Sequence, residues 1–142
     1  MPGQLDTLGY GNLQTEAFHN AVPDGAIIVD VRRAPACKWN QGYNKAELQR
    51  AFTLRGMLYI SLPRLGNPYH TLKEFKEHAA ELFAQRDINA TLNMIVEWLK
   101  LGRTVVLLCA EKDHRRCHRD PIAAELATRI SGLAVLHLEV QP

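Results

Sequence analysis

Residues 104–119 read TVVLLCAEKDHRRCHR. The run 105–108 is continuously apolar, as a strand buried on both faces must be. It changes within one residue to Cys109 and a polar loop carrying Glu111, His114, three arginines, Cys117 and His118. Asp120 then reads as an N-cap and Pro121 as the first residue of a helix, with Ile122, Leu126 and Ile130 on one face and Gly132 as its stop. A buried strand thus hands reactive side chains to a helix start. In open α/β sheets ligands occupy the crevice outside the carboxyl ends of the strands, so chemistry is expected here first.

The rest of the chain supplies partners for that strand. Residues 26–31 (AIIVDV) form a second β-branched run, ending in charge at Asp30, Arg32 and Arg33 with Pro35 beyond. Residues 4–9 alternate and stop at Gly9-Tyr10-Gly11-Asn12, a turn sequence. Thr15 reads as the N-cap of a helix over 16–22, and residues 45–53 place Leu48 and Phe52 on one helical face. A short strand is expected over 57–60, helices over 72–85 and 88–101, loops over 37–44 and 63–69, and a closing strand over 133–140 with Leu136, Leu138 and Val140 on one side. The order β-α-β-α-β-α-α-β-α-β predicts one α/β domain over residues 1–142. It has three layers, a mostly parallel sheet with helices on both faces, because parallel strands need helical crossovers.

Composition narrows the function classes. A chain of 142 residues with 46% hydrophobic content builds one core without disulfide or metal staples. Its 17 basic and 15 acidic residues leave a formal charge of +2, which announces neither a nucleic-acid nor a membrane partner. The N-terminal dozen residues lack the pattern of a secretory leader, and no apolar run approaches the roughly 20 residues of a membrane span, so a cytoplasmic protein is expected. Cys37, Cys109 and Cys117 are too few and too odd in number for a secreted scaffold and are expected to be reduced.

Three strand ends are chemically loaded: Gly9 to Asn12, Asp30 to Arg33, and Cys109 with its loop. If the strands are parallel neighbours, these residues converge on one edge. Nearby cations and a helix start stabilise a thiolate, which favours Cys109 as a nucleophile, with Cys117 as its rival closer to the helix. The competing readings are a core-facing, inert Cys109 and a structural ion pair between Asp30 and Arg32. Cys109 and Arg115 have the spacing of an anion-cradling phosphatase or sulfurtransferase loop, but AEKDH has no glycine and brings two carboxylates where the anion would lie. Zinc ligation by Cys109, Cys117 and His118 has the right ligand types. The spacing argues against it: there is no CxxC pair, and adjacent Cys117 and His118 point apart unless the backbone turns. No metal and no cofactor are therefore expected. Tyr10, Lys38, Trp39, Tyr43 and Asn44 are of types that stack on a nucleobase, with a packed capping loop as the plainer reading.

Taken together, TLGYGN at 7–12, DVRRAPAC at 30–37 followed by GYN, LYISLPRLG at 58–66 and LLCAEKDHRRCHR at 107–119 resemble the family called domain of unknown function 488. The resemblance implies the same compact α/β fold. It puts Gly9, Asp30, Arg32, Pro35, Cys109, Glu111, Cys117, His118 and Arg119 at the family's motif positions, with Cys37 where the pattern usually shows Ser. From residues and resemblance together, the expected catalytic set is Cys109, Glu111, Cys117, His118 and Asp30. The expected substrate-binding set is Gly9, Tyr10, Asn12, Arg32, Arg33, Pro35, Cys37, Tyr43, Asn44 and Arg119. The expected function is a thiol-dependent transferase or hydrolase acting on a small anionic or nucleotide-like molecule. The alternative is a non-catalytic module holding a nucleotide or a nucleic-acid end in the same crevice. Oligomeric state is left open.

Overall fold

The computed structural model describes residues 1–140, so the last two residues of the predicted domain lie outside the described residues. Ten elements follow in the predicted order: β1 (Gln4–Gly9), α1 (Thr15–Ala21), β2 (Ile27–Asp30), α2 (Lys45–Leu54), β3 (Tyr59–Ser61), α3 (Leu72–Ala84), α4 (Arg86–Lys100), β4 (Val105–Cys109), α5 (Arg119–Arg129) and β5 (Ala134–His137). The five strands form one sheet in the order β3-β2-β4-β1-β5, and every neighbouring pair is parallel. β4 lies at the centre, which explains its unbroken apolar run: helices cover both of its faces.

Side chains alternate across the sheet and divide the interior in two. Val105, Leu107 and Cys109 of β4, with Ile27 and Val29 of β2, pack against Phe75 and Leu82 of α3, Leu92 and Leu99 of α4, and Ile122 and Leu126 of α5. Val106, Leu108 and Ile28 face the other way, onto Phe18 of α1 and Leu48 and Phe52 of α2. Among the described residues no helix is long and apolar enough to cross a membrane.

Three details depart from the sequence expectation. Helix α5 begins at Arg119, not Pro121, with His118 in the N-cap position, so Asp120 is not the cap. The proline is tolerated in the first turn because the N–H it lacks has no partner inside the helix. Helix α1 includes Thr15, its N-cap is Gln14, and no side chain caps it. Strand β5 ends at His137 and lies at the sheet edge, where Val135 packs inward while Leu136 is 49% exposed.

Candidate functional site

Parallel registry brings the loaded strand ends side by side. Gly9 pairs with Cys109, and Asp30 with Leu108, so β1, β4 and β2 finish along one edge. The period-2 alternation then separates their side chains onto opposite faces of the sheet. Cys109 joins the helical layer of α3 to α5, whereas Asp30 is buried at the layer of α1 and α2.

On the first face Cys109, Cys117 and His118 form a compact cluster. Cys117 has an extended backbone (φ −126°, ψ 145°) and His118 a helical one (φ −64°, ψ −14°). This turn meets the one condition under which the adjacent side chains do not point apart, and it brings them together. His118 Nδ1 stands 3.9 Å from Cys109 Sγ and 3.8 Å from Cys117 Sγ. The other ring nitrogen lies 2.8 Å from the carbonyl oxygen of Val31. A carbonyl only accepts, so Nε2 carries a proton, and in the neutral ring Nδ1 presents a lone pair to the two sulfurs. Phe75 packs edge-on against the ring at 5.7 Å.

The two thiols are unequal. Cys117 is held well below the ordinary thiol range, first by the hydrogen bond from Cys109, then by His118 and the Arg119 amide, against the opposing effect of burial. Cys109 is pushed up, first by the ionised sulfur beside it and then by burial. Within this pair the direction favours ionisation of Cys117, at the start of α5, over Cys109. Both are nearly covered, at 3% and 7% exposure, and among the described residues neither lines the two clefts beside the loop.

The second face carries a different network. Asp30 receives Arg32 Nη2 at 2.6 Å, Arg32 Nε at 2.9 Å and the Tyr59 hydroxyl at 2.5 Å. Arg32 Nη1 donates to the Tyr43 carbonyl at 2.7 Å and the Tyr10 hydroxyl at 3.3 Å. Tyr10 stacks on Tyr43 at 4.1 Å, and Tyr43 donates to the Leu13 carbonyl. Arg32, expected at an anionic substrate, spends its guanidinium inside the protein. Tyr10 and Tyr43 spend their ring faces on each other. Cys37 packs in this layer and donates its N–H to the side chain of Asn44, which stands at the N-cap position of α2 without a side-chain cap bond; the Pro35 carbonyl accepts from the Lys45 amide. Tyr59 was not singled out in the sequence, where nothing marks which strand-end tyrosine will meet Asp30.

Between the two faces runs the loop 110–118. Arg119 is buried and donates Nη1 to the Glu111 carbonyl and Nη2 to the Lys112 carbonyl, so it holds the loop in place and is not free for substrate. Gly9 makes this approach sterically open: a Cβ there would fall 1.7 Å from the Glu111 carbonyl oxygen. Arg115 is 78% exposed and paired with Asp113, which removes it from the phosphatase-like position over Cys109. Glu111 is exposed. Gly9, Glu111, Lys112, Arg116, Leu138 and Val140 line a surface cleft of about 470 Å³. Asn12 lies with Tyr10, Trp39 and Lys112 on a neighbouring groove. Arg33 faces a separate groove with Arg64 and Tyr69. A further trio, absent from the sequence expectations, joins His114 Nδ1 to Asp120 at 2.8 Å with His137 stacked on His114 and anchored to the Thr7 hydroxyl at 2.7 Å.

A parallel three-layer α/β sheet with a thiol and imidazole cluster at its carboxyl edge defines the class of protein. The chain belongs to the family described as domain of unknown function DUF488, whose model matches residues 15–126. That span takes in Cys109, Cys117, His118 and Arg119 but neither β1 nor β5. No curated protein and no solved structure matches the chain.

Proposed function

We propose that this protein is a cytoplasmic thiol-dependent transferase or hydrolase whose nucleophile is the Cys117 thiolate. His118 takes and returns the proton at Nδ1, and Cys109 donates to the reacting sulfur. The observation that carries this reading is the bond from His118 Nε2 to the Val31 carbonyl, because it commits the other nitrogen to the thiols. A reducing compartment keeps both thiols available. The substrate is a small anionic or nucleotide-like molecule in the cleft beside the loop, where Lys112 and Arg116 offer positive charge against Glu111 and Glu139, and Arg115 is paired with Asp113. Access to a sulfur of 3% exposure requires movement of the residues packed over it.

The test is the pH dependence of iodoacetamide labelling at the three cysteines, read by peptide mass spectrometry. Cys117 is expected to label fastest, with a midpoint well below the ordinary thiol value of about 8.5. Labelling of Cys117 no faster than that of Cys37 ends the thiol mechanism.

One observation favours a second reading, a non-catalytic module for a nucleotide or a nucleic-acid end. Trp39 is 55% exposed beside the groove of Tyr10, Asn12 and Lys112, so the part of its ring not packed against Tyr43 is open to a base. Quenching of tryptophan fluorescence by a mononucleotide, weakened by salt and lost in Trp39→Ala, is its signature.

A further inference from the structure

We propose that Cys109, Cys117 and His118 bind one soft divalent cation of the zinc class, and that the ion masks both sulfurs. The inference shares its side chains with the proposed thiol chemistry, as regulation of that site, but it stands on geometry alone. The three donor atoms lie within 4.8 Å of one another. With metal bonds of about 2.3 Å to sulfur and about 2.0 Å to nitrogen, a tetrahedral centre separates a sulfur from a nitrogen by about 3.5 Å. The observed separations are 3.8 and 3.9 Å, so small movements admit an ion between these atoms.

The surroundings suit an ion as well as the distances do. Donation from His118 Nε2 to the Val31 carbonyl fixes the tautomer that leaves Nδ1 free to ligate, the usual outer-shell support of a metal-bound histidine. Two sulfurs and one imidazole select zinc, or a comparably soft ion, over magnesium or calcium. No other His, Cys, Asp or Glu among the described residues joins this trio, so the fourth position is left to solvent or a small ligand. Binding takes both sulfurs as thiolates, so it releases to solvent whatever thiol proton the metal-free pair still holds, and it ties the end of β4 to the start of α5.

The other trio does not compete for this role. His114 and His137 stack with centroids 3.6 Å apart and planes within 1°, and a ligated ion must lie near the plane of each ring. Parallel planes so placed share no such point, and Asp120 is already hydrogen bonded to His114.

The experiment titrates the reduced, metal-stripped full chain with Co²⁺ and then with Zn²⁺. One equivalent of Co²⁺ is expected to produce a sulfur-to-cobalt charge-transfer band together with the visible bands of a tetrahedral site, and Zn²⁺ to displace it. Cys109→Ser and Cys117→Ser are each expected to reduce the charge-transfer band by about half, as one of two sulfur ligands is lost, and Cys37→Ser to leave it intact. In the unmodified chain, where folding of a variant is not in question, one equivalent of Zn²⁺ is expected to protect Cys109 and Cys117 from iodoacetamide but not Cys37. Absence of the charge-transfer band, or its survival in the Cys109→Ser/Cys117→Ser double variant, overturns the proposal. Fast labelling of metal-free Cys117 without the cobalt band removes the metal site and leaves the thiol enzyme standing. Slow labelling with the full band supports the metal site and removes the enzyme.

Discussion

His118 is tied through Nε2 to the backbone carbonyl of Val31, 87 positions earlier in the chain, at 2.8 Å. The end of β2 thereby orients a ring whose other nitrogen faces sulfurs from β4 and from the start of α5. His118→Ala is expected to move the pH midpoint of iodoacetamide labelling of Cys117 upward by about one unit or more, since the imidazole is one of the groups that hold this thiol low. Rates measured on Cys117 peptides across pH check this. A shifted midpoint with an unchanged high-pH plateau separates the loss of the imidazole from a change in access.

Asp30 and Arg32 form a buried pair, at 0% and 4% exposure. Removing one partner of such a pair leaves an uncompensated charge inside the protein, whereas the intact pair contributes little net stability. Asp30→Ala is expected to cost about 3–5 kcal/mol, read from urea unfolding monitored by circular dichroism. Asp30→Ala and Arg32→Met combined are expected to recover part of that loss. A single substitution costing less than about 1 kcal/mol shows that water reaches the guanidinium.

Gly9→Ala introduces a Cβ where the Glu111 carbonyl oxygen already stands. The loop and the Arg119 bonds that hold it must shift, at a cost of about 2 kcal/mol of stability, typical of overpacking a tight site. A thermal melt reads the stability. Faster labelling of Cys109 and Cys117 in the same variant reads the displaced loop.

Asp6 is fully buried, and its Oδ2 has no hydrogen-bond partner among the described residues. Burial raises its pKa, opposed by the Gln4 side chain. The native carboxyl therefore titrates above its unfolded value, the native state binds more protons between the two, and stability falls as pH rises through that window. Asp6→Asn is expected to stabilise the protein by about 1 kcal/mol at pH 7. The gain disappears below the unfolded value of 3.8. Equal gains at both ends of the pH range would exclude ionisation as the cause.

The amino-acid sequence was sufficient for the element order and the layered fold. A central strand buried on both faces can only be apolar throughout, as at 105–108, and each helix carries its face in the spacing of residues such as Leu48 and Phe52. It also located the loaded strand ends, because abrupt polarity after an apolar run is a local signal. Which face each side chain takes was decided only in three dimensions. Asp30 and Cys109 end neighbouring strands yet face opposite layers, since strand order and registry are set by packing between distant segments. The approach of His118 to Cys117 depends on a backbone turn at the start of α5, and Thr7 meets His137, 130 positions away, only through the pairing of β1 with β5. Local pattern records what a side chain needs around it; which partners meet that need depends on the contacts that close the chain.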